Sequence, residues 1–498
     1  MDSITNSLYL IKPEIAISIV LVCVITFNLI FKNKSKVLPW LSIIGLIITA
    51  YFVIEQFSLN SLAFSSSDYK GLLVADPFGA FFKILIVVSS ILVILFSISN
   101  KELDSAKDRL GEYYSLIFGM ILGMFFMVSA ADLIVIYLSI ELLSLSSYVL
   151  AGFTKKTLRN SEASLKYVIY GGVSSGIMLF GISIVYGLTG TTNLYEINTL
   201  LQAPQINQLT LIFAGILIFA GIGFKISVAP FHFWTPDVYE GAPVTITAYL
   251  SVASKAAGFA LLIRFIKIGF IKSVNAEGYW QVINLIDWKS FFILISIITM
   301  TLGNFAALWQ NNMKRLLAYS SIAHAGYLML GLVVMSNEGI LAVLIYFAVY
   351  TFMNLGAFFI VMLIANKIGS EELDDYKGIG YSTPVLGIRL AIFLVSLTGL
   401  PPTAGFIAKL YIFIALVDAK MIAVAIIALL NTVVSLYYYI RVLKNMYLDK
   451  PEKEIESFSA SLPNLTLLGV LVVPIIFFGI YFTPLVDLAK SSLSLFGF

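Results

Sequence analysis

Long apolar runs follow one another along the whole chain, separated by short polar segments. A membrane-spanning helix needs about 20 predominantly apolar residues, and about fourteen runs reach this length. They lie near residues 11–31, 38–57, 77–99, 112–130, 132–152, 163–189, 208–231, 243–267, 289–309, 315–335, 339–366, 384–417, 420–447 and 463–489. The pattern predicts an all-α polytopic membrane protein with about fourteen transmembrane helices.

The composition agrees with this interpretation. Hydrophobic residues make up 59% of the chain and charged residues 12%, which excludes an ordinary soluble domain. The single cysteine, Cys23, excludes a disulfide framework, a thiolate zinc site and cysteine-held iron–sulfur clusters. The net charge of +3 comes without a basic stripe, so we expect no nucleic acid as a partner.

Lysine and arginine are distributed unevenly between the two sets of loops. Loops after odd-numbered spans contain Lys32, Lys34, Lys36, Lys101, Lys107, Arg109, Lys155, Lys156, Arg159, Lys314, Arg315, Lys367, Lys377, Lys444, Lys450 and Lys453. The opposite set carries far fewer, at Lys12, Lys70, Lys272, Lys420 and Lys490. Because basic residues favour the cytoplasmic side, the bias places both termini outside the cytoplasm and the turn at 232–242 inside it.

Two spans contain signals that break a helix. The run 384–417 corresponds to about 50 Å of straight helix, far more than a hydrocarbon core of about 30 Å needs. It contains Pro401 and Pro402, so we predict two half-helices joined by an unwound segment. Span seven similarly combines Lys225 with Pro230.

The two broken spans lie five spans apart, which suggests an internal repeat. Because five is odd, the second copy must cross the membrane in the opposite sense, as in many transporters. Spans five and ten share a faint Y-x-S-I pattern, beginning at Tyr137 and Tyr319. We therefore predict two inverted five-helix repeats, spans 4–8 and 9–13, with discontinuous helices 7 and 12. The predicted units are residues 1–110, 111–268, 288–447 and 448–498.

Several spans carry a charged residue in their interior. A charge at this depth costs several kcal/mol, so it is usually paired, faces a wet interior and has a function. Lys255 lies some eleven residues from either end of its span, whereas Lys225 and Lys409 lie where a snorkelling side chain is the alternative. Glu141 is expected near the midplane, either as a partner of a lysine or as a hydrogen-bonded packing residue.

The two histidines leave two interpretations each. His324, in the middle of span ten, fits either a satisfied core residue or a proton carrier. His232, in the turn after span seven, fits either a structural hydrogen bond or proton uptake.

Four further charged residues lie near span ends, and we expect them to be solvated at the interface: Lys83, Asp132, Arg264 and Lys267. The sequence contains no glycine-rich nucleotide loop, metal-ligand spacing or nucleophile arrangement, so we expect no cofactor in this chain.

Five long motifs resemble the antiporter-like subunits of respiratory complex I, the NADH–quinone oxidoreductase. They are IELLSLSSYVL around Glu141, FHFWTPDVYEGAP at 231–243, SVASKAAGF around Lys255, MKRLLAYSSIAHAGY at 313–327 and LTGLPPTAGFIAKLY at 397–411. The similarity extends from about residue 75 to 445. It is greatest with the bacterial N type, because the M type has glutamate where this chain has Lys409 and the L type continues into a long lateral helix. One departure is Ala408, where the family pattern has glycine.

The resemblance implies a proton-translocating membrane subunit with a relay at the midplane. Glu141 would pair with Lys225 and modulate its proton affinity, Lys255 would be the central carrier, and Lys409 would lie at the far end. His232 and His324 would support the relay.

The same resemblance implies that FMN, iron–sulfur clusters and quinone belong to partner subunits. Those partners would include a neighbouring M-type subunit and small K/J/A-type subunits, in the inner membrane of a bacterium with both termini periplasmic. A multisubunit sodium/proton antiporter is the alternative function, and a structural scaffold with frozen salt bridges is a third.

Overall fold

The computed structural model describes residues 2–31, 35–66, 69–155, 158–202, 206–283, 287–450 and 457–497. Within these residues, thirteen helices are long and apolar enough to cross a membrane. A fourteenth crossing is built from two 15-residue helices in tandem. The predicted polytopic all-α fold is confirmed. Lys32, Lys34, Lys156 and Lys453, part of the predicted charge bias, lie outside the described residues.

We number the spanning helices α1 to α14 in chain order. They are α1 (Lys12–Ile30), α2 (Leu38–Gln56), α3 (Pro77–Ile98), α4 (Leu110–Ser129), α5 (Leu133–Ala151), α6 (Leu158–Thr189), α7 (Gln208–Ile226), α8 (Val244–Phe270), α9 (Trp288–Ala307), α10 (Met313–Val333), α11 (Asn337–Ile368), α12a (Pro384–Thr398) with α12b (Ala404–Asp418), α13 (Ile422–Tyr447) and α14 (Leu462–Ile480).

The connections carry short elements. The further α-helices are Asp2–Leu10, Leu194–Leu201, Trp234–Gly241, Ile379–Ser382 and Thr483–Ser491, and the 3₁₀ segments are Ser35–Val37, Lys101–Arg109 and Leu373–Tyr376. Two antiparallel hairpins pair β1 (Ser61–Ala63) with β2 (Leu73–Ala75) and β3 (Ile271–Val274) with β4 (Trp280–Val282). Both hairpins follow even-numbered spans, so they share one side of the bundle.

Side-chain caps define where several spans begin. Asp76 Oδ1 accepts from Gly79 N at 2.8 Å, and Asp132 Oδ1 accepts from Ile134 N at 2.8 Å. Asn312 does the same for α10. The first amides of a helix have no partner within the helix, so these polar residues fix its first turn.

The chain between α4 and α13 repeats its architecture after five spans. Helices α6 and α11 each have 32 residues, and α4 and α9 each have 20. Helix α4 packs on α5 as α9 packs on α10, and α6 packs on α7 as α11 packs on α12b. This agrees with the predicted pair of inverted repeats, whereas the predicted domain boundaries stay predictions.

Both predicted breaks are present. Helix α7 ends at Ile226, where Ser227 adopts a left-handed conformation with φ 60°. The two halves of α12 are separated after Thr398, where Gly399 has φ 86°. A non-glycine side chain is strained at this φ, so Gly399 allows the chain to turn out of the helix.

Helices α9 and α10 approach each other through glycine. A Cβ on Gly303 would meet Ala323 N at 2.6 Å, and a Cβ on Gly326 would meet Met300 N at 2.7 Å. The two backbones are therefore in contact at two levels. Together with α8 and α11, helix α10 forms the buried centre of the bundle, whereas α1, α6 and α14 are largely exposed.

The expectation of interfacial solvation for Lys83, Asp132, Arg264 and Lys267 is wrong, because all four are buried. Lys83 pairs with Glu14 at 2.6 Å. Asp132 accepts hydrogen bonds from Tyr69 and Thr192, and Lys267 donates to Asn337 at 3.2 Å. The position of a residue along a span does not show whether other elements cover the end of that span. The expectation failed for this reason.

The pair of Arg264 and Asp76 is the most deeply buried ion pair described. Both side chains are fully inaccessible, and two parallel N–H···O bonds of 2.8 Å join them. The Arg264 Nε group also donates to Val128 O at 2.8 Å, and Phe496 N donates to Asp76 at 3.2 Å. The pair thus links α3, α4, α8 and the C-terminal segment.

Replacement of Asp76 by asparagine should leave Arg264 as an uncompensated buried charge. We expect the free energy of unfolding in detergent to fall by about 3–5 kcal/mol, as for other buried pairs that lose one partner. Lys12→Met, which breaks the half-exposed pair of Lys12 with Glu55 at 3.4 Å, is the control and should cost less than about 1 kcal/mol. Equal losses in the two variants would contradict this assignment.

Candidate functional site

The Lys225 side chain lies in the last turn of α7 and is only 1% exposed, so it does not snorkel to the surface. Its ammonium donates to Ser144 Oγ at 3.1 Å and to the Tyr167 hydroxyl at 3.5 Å. The Tyr167 ring stacks on Trp234, with centroids 4.4 Å apart. The break after Ile226 thus directs Lys225 toward hydroxyl groups of the first repeat.

Glu141 lies on α5 one helical turn before Ser144. Among the described residues, no ion pair within 4.0 Å joins Glu141 to Lys225, so the expected pairing is not a direct contact in this structure. Glu141 Oε1 is buried and has no hydrogen-bond partner within the described protein. Ser144 holds the lysine, and the carboxylate lies within one turn of that contact.

Lys255 is 1% exposed and follows a π-helical turn, Leu250–Ser254, within α8. The wider turn is the kind of irregularity that is common at functional positions. The ammonium donates to Ser321 O at 2.9 Å and to Ser321 Oγ at 2.5 Å. Lys255 is therefore attached to α10 in the second repeat.

Lys409 lies in the second turn of α12b and is 4% exposed, which again excludes snorkelling. It donates to Thr398 O at 2.7 Å, and its ammonium lies 4.6 Å from the centroid of the Tyr327 ring. The break at Gly399 leaves the Thr398 carbonyl without a helical donor. The end of α12a thus supplies an acceptor for a cation at this depth.

His324 is buried, and a tyrosine hydroxyl lies near each of its two ring nitrogens. Its Nδ1 is hydrogen-bonded with the Tyr346 hydroxyl at 2.6 Å, and its Nε2 lies 3.4 Å from the Tyr439 hydroxyl. The Tyr439 hydroxyl also contacts Ser320 Oγ at 2.5 Å. Both ring nitrogens therefore face groups that can donate or accept a proton.

His232 lies in the segment between α7 and the short helix Trp234–Gly241. It is 3% exposed, and its Nδ1 has no hydrogen-bond partner within the described protein. Its ring lies 4.5 Å from that of Phe233. The turn expected at 232–242 is largely helical, and no described hydrogen bond connects the His232 side chain to the three lysines.

Helix α10 brings the second-repeat residues together. Ser321, His324 and Tyr327 recur every three residues, so they lie along one face of the helix. This face contacts Lys255 at one end and Lys409 at the other.

Sequence reasoning missed Ser321 and Tyr327, although their spacing from His324 was a usable signal. It also missed the lysine contacts Ser144 and Tyr167 and the histidine contacts Tyr346 and Tyr439.

An ion network fixes the segment that connects α7 to α8. Asp237, in the short helix Trp234–Gly241, contacts Lys166 at 2.6 Å and Arg315 at 2.5 Å, and Arg315 also contacts Glu240 at 2.9 Å. Burial alone would raise the pKa of Asp237, but the hydrogen bonds from Lys166 and Arg315 outweigh it and lower that pKa. The segment after the α7 break is thus tied to both α6 and α10.

The side chains of this arrangement carry amine, hydroxyl and imidazole groups. Amine, hydroxyl and imidazole groups can each take up a proton on one side and release one on the other. In the part of the chain that the structure describes, no group of three or more histidine, cysteine, aspartate or glutamate side chains is placed to hold a metal ion.

Comparison with known proteins identifies the family. The model of the family described as NADH:quinone oxidoreductase/Mrp antiporter, TM, matches residues 130–435, more than half of the chain. NADH-quinone oxidoreductase subunit N 2 of Chloroherpeton thalassium is 48% identical over 490 residues, covering 97% of this chain and 94% of that protein.

Two solved structures have the same fold. A chain of respiratory complex I from Thermus thermophilus superimposes with a TM-score of 0.78 at 26% identity, covering 95% of this chain and 98% of that one. A chain of the Mrp complex from Dietzia sp. gives a TM-score of 0.77 at 18% identity, covering 98% and 96%, which shows the fold alone. The chain belongs to the NADH:quinone oxidoreductase/Mrp antiporter family of membrane proteins, among its NADH-quinone oxidoreductase N subunits.

Proposed function

We propose that the protein translocates protons across a bacterial membrane as an antiporter-like subunit of NADH–quinone oxidoreductase. Electron transfer from NADH to quinone takes place in partner subunits and drives charge rearrangement here. The observation that carries the proposal is the buried row Lys255, Ser321, His324, Tyr327 and Lys409, held along one face of α10.

The physical step is a change in how tightly Lys225 holds its proton. Ser144 holds the ammonium one helical turn from Glu141, so a movement of α5 relative to α7 that breaks this hydrogen bond alters the distance between the two charges. One unit of pKa corresponds to about 1.4 kcal/mol. A change of about two units is comparable to the work of about 2.3 kcal/mol for moving one charge through 100 mV.

Each residue then has a role in the relay. Lys255 takes up the proton at the centre, and Ser321 connects it to α10. His324 and its tyrosine partners pass charge along this helix toward Lys409. Lys409 forms the far end and faces the neighbouring M-type subunit in the assembly. His232, without a described hydrogen bond to the lysines, supports the break after α7.

No redox group is needed within this chain for such a mechanism. We propose that FMN, iron–sulfur clusters and quinone are bound by partner subunits, which exchange charge with this one through the membrane. Both termini would lie in the periplasm, since basic residues favour the loops on the opposite side.

The outer face of α5 and α6 is proposed as the contact with a small membrane subunit. Glu141 is partly exposed on a stripe with Leu138 and Leu145, each 59% exposed. A partly exposed acidic side chain is costly at this depth in lipid, so a protein neighbour is favoured. Gly172 and Gly176 on exposed α6 have open space at their Cβ positions, which permits close approach of another helix.

The two alternatives are less well supported. The Mrp resemblance is 18% identical and shows the fold alone, whereas the Chloroherpeton relative at 48% is an N subunit of NADH-quinone oxidoreductase. A scaffold of frozen salt bridges would pair each buried lysine with a carboxylate, as Lys83 is paired with Glu14. Lys225, Lys255 and Lys409 are instead bound by hydroxyl and carbonyl oxygens.

Lys255→Ala should abolish most proton pumping in assembled complexes. A positioned general acid–base group contributes about 100-fold or more, so we expect a loss of that order in the pumping rate, with coupled quinone reduction reduced. The measurement is dye-monitored acidification of proteoliposomes. Lys272→Ala, in the exposed strand β3, is the control. Normal pumping by Lys255→Ala would refute the relay.

A double variant distinguishes the relay from the scaffold. Glu141→Gln combined with Lys225→Gln removes both charges of the first repeat while keeping side-chain size. The relay requires pumping to fall in complexes that still assemble. Intact pumping together with poor assembly would instead favour the scaffold.

Gly172→Leu should weaken contact with the neighbouring subunit without disturbing this chain, since nothing lies within 4 Å of its Cβ position. We expect the yield of intact complex to fall by about tenfold, corresponding to 1.4 kcal/mol. Gly469→Leu is the matched control, because Gly469 also has open space but lies on α14. Equal yields on native gels would argue against this face as the interface.

A further inference from the structure

Helix α8 is chemically asymmetric about Lys255. The segment before it, Val244–Ser254, contains Thr245, Thr247, Tyr249, Ser251 and Ser254, all buried. The segment Lys255–Phe270 contains no serine, threonine or tyrosine. Hydroxyl groups therefore approach Lys255 along α8 from one side only.

The polar half of α8 begins at a cavity. The cavity has a volume of about 460 Å³ and is open to the side predicted to be cytoplasmic. Its wall includes Val244, the first residue of α8, and the polar side chains Lys101, Glu102, Asn312, Asn366, Glu371 and Glu372. From Val244 to Lys255 the helix rises by about 16 Å, half the thickness of a hydrocarbon core of about 30 Å.

A buried lysine joins the two carboxylates of the cavity. Lys314 is 3% exposed and contacts Glu371 at 2.8 Å and Glu102 at 4.0 Å. Its ammonium also donates to Ala242 O at 3.1 Å, just before α8 begins. The carboxylates are thus held together at the end of α8, although they come from different loops.

Glu102 connects the cavity to the first hydroxyl of α8. Its Oε2 accepts from Val244 N at 2.8 Å and from Asn100 at 3.3 Å, and Asn100 also reaches Thr245 Oγ1 at 3.5 Å. The Tyr113 hydroxyl lies 2.9 Å from the same Thr245 oxygen. Negative charge at this point is also favoured by the positive end of the helix.

Deeper along α8, Ser251 continues the polar row. Asn354 Nδ2 donates to Ser251 Oγ at 2.7 Å, and Asn354 Oδ1 is buried without a hydrogen-bond partner in the described protein. Hydroxyl-bearing residues on one face of α8 are three or four residues apart, as in Thr247, Ser251 and Ser254, which corresponds to about 4.5–6 Å along the axis. A hydrogen-bonded water molecule can bridge such steps.

We propose that this cavity is the proton-collecting mouth of the subunit, with Glu102 and Glu371 as the first proton acceptors. A hydronium ion leaves its proton on a carboxylate and departs as water. The carboxylic acid passes that proton toward the α8 hydroxyls and becomes a carboxylate again, and the neutral amine of Lys255 finally accepts one proton. This inference rests on the proposed function and adds the place and residues of proton uptake.

A proton-collecting mouth is useful when the rate at which protons arrive limits the rate of pumping. A diffusion-limited encounter of about 10¹⁰ M⁻¹s⁻¹ delivers on the order of 30 protons per second at pH 8.5 and 3,000 at pH 6.5. Typical turnover lies at about 1–1,000 per second, so supply becomes limiting only in the alkaline range. A cleft lined by charges of one sign raises the local concentration and the arrival rate of the opposite ion by about 10- to 1,000-fold. We expect the two carboxylates to have this effect on protons.

Several other charged and titratable groups surround the two carboxylates. They are Lys101, Arg159, Lys314, Glu240, Glu372, Tyr113 and Tyr376. None of them is altered in the test below, so a change in pH dependence reports on Glu102 or Glu371.

The test compares Glu102→Gln with Asp374→Asn in assembled complexes, in weakly buffered proteoliposomes. Glutamine retains an oxygen for Val244 N but cannot collect a proton, so we expect pumping to fall about tenfold at pH 8.5 and less than about twofold at pH 6.5. Asp374 lies on the same loop as Glu371 but is not part of the cavity wall, and its variant should match the unaltered complex at both pH values.

Two further variants make the result decisive. Glu371→Gln should reproduce the alkaline loss if Glu102→Gln fails to assemble. Lys255→Ala should be inactive at both pH values. If it is inactive while both glutamine variants pump normally at pH 8.5, the collecting mouth is wrong and the relay stands. If Lys255→Ala pumps normally, the proposed function itself fails.

Discussion

A charge within a membrane protein must be compensated by the surrounding chain, and this structure does so in two ways. Arg264 and Lys83 each have a carboxylate partner at hydrogen-bond distance. Lys225, Lys255 and Lys409 are bound instead by hydroxyl and carbonyl oxygens. A neutral oxygen stabilises an ammonium less than a carboxylate does, so the charge of the second group is compensated less strongly than that of the first.

This difference explains the irregular backbone. The interior carbonyls of a continuous helix already accept a hydrogen bond within the helix, whereas the last carbonyls of a helix have no donor there. The break at Gly399 releases the Thr398 carbonyl for Lys409, and the break after Ile226 ends α7 beside Lys225. The π turn before Lys255 is a smaller irregularity of the same kind. All three lysines of the proposed relay thus lie at a departure from regular α-helix.

Much of the architecture could be predicted from the sequence, because membrane thickness fixes helix length. The fourteen crossings and both breaks followed from apolar run length and from proline and glycine. The positions of Lys225, Lys255 and Lys409 followed from the cost of a buried charge.

The partners could not be predicted in the same way. That Lys255 binds Ser321 depends on which faces of α8 and α10 meet, and hydropathy does not specify this. The burial of Arg264 depends on Asp76, 188 residues away in the chain. Serine and tyrosine are also common in packed helices, so Ser144 and Tyr167 carried no signal until the fold placed them beside a lysine.

The glycine contacts between α9 and α10 have a mechanical consequence. Because the backbones touch at Gly303 and Gly326, α10 cannot turn about its own axis without displacing α9. Ser321 and Tyr327 lie on the same α10 face, so any displacement of α10 alters the surroundings of Lys255 and Lys409 together. The close contact with α9 therefore constrains the positions of both lysine contacts on α10.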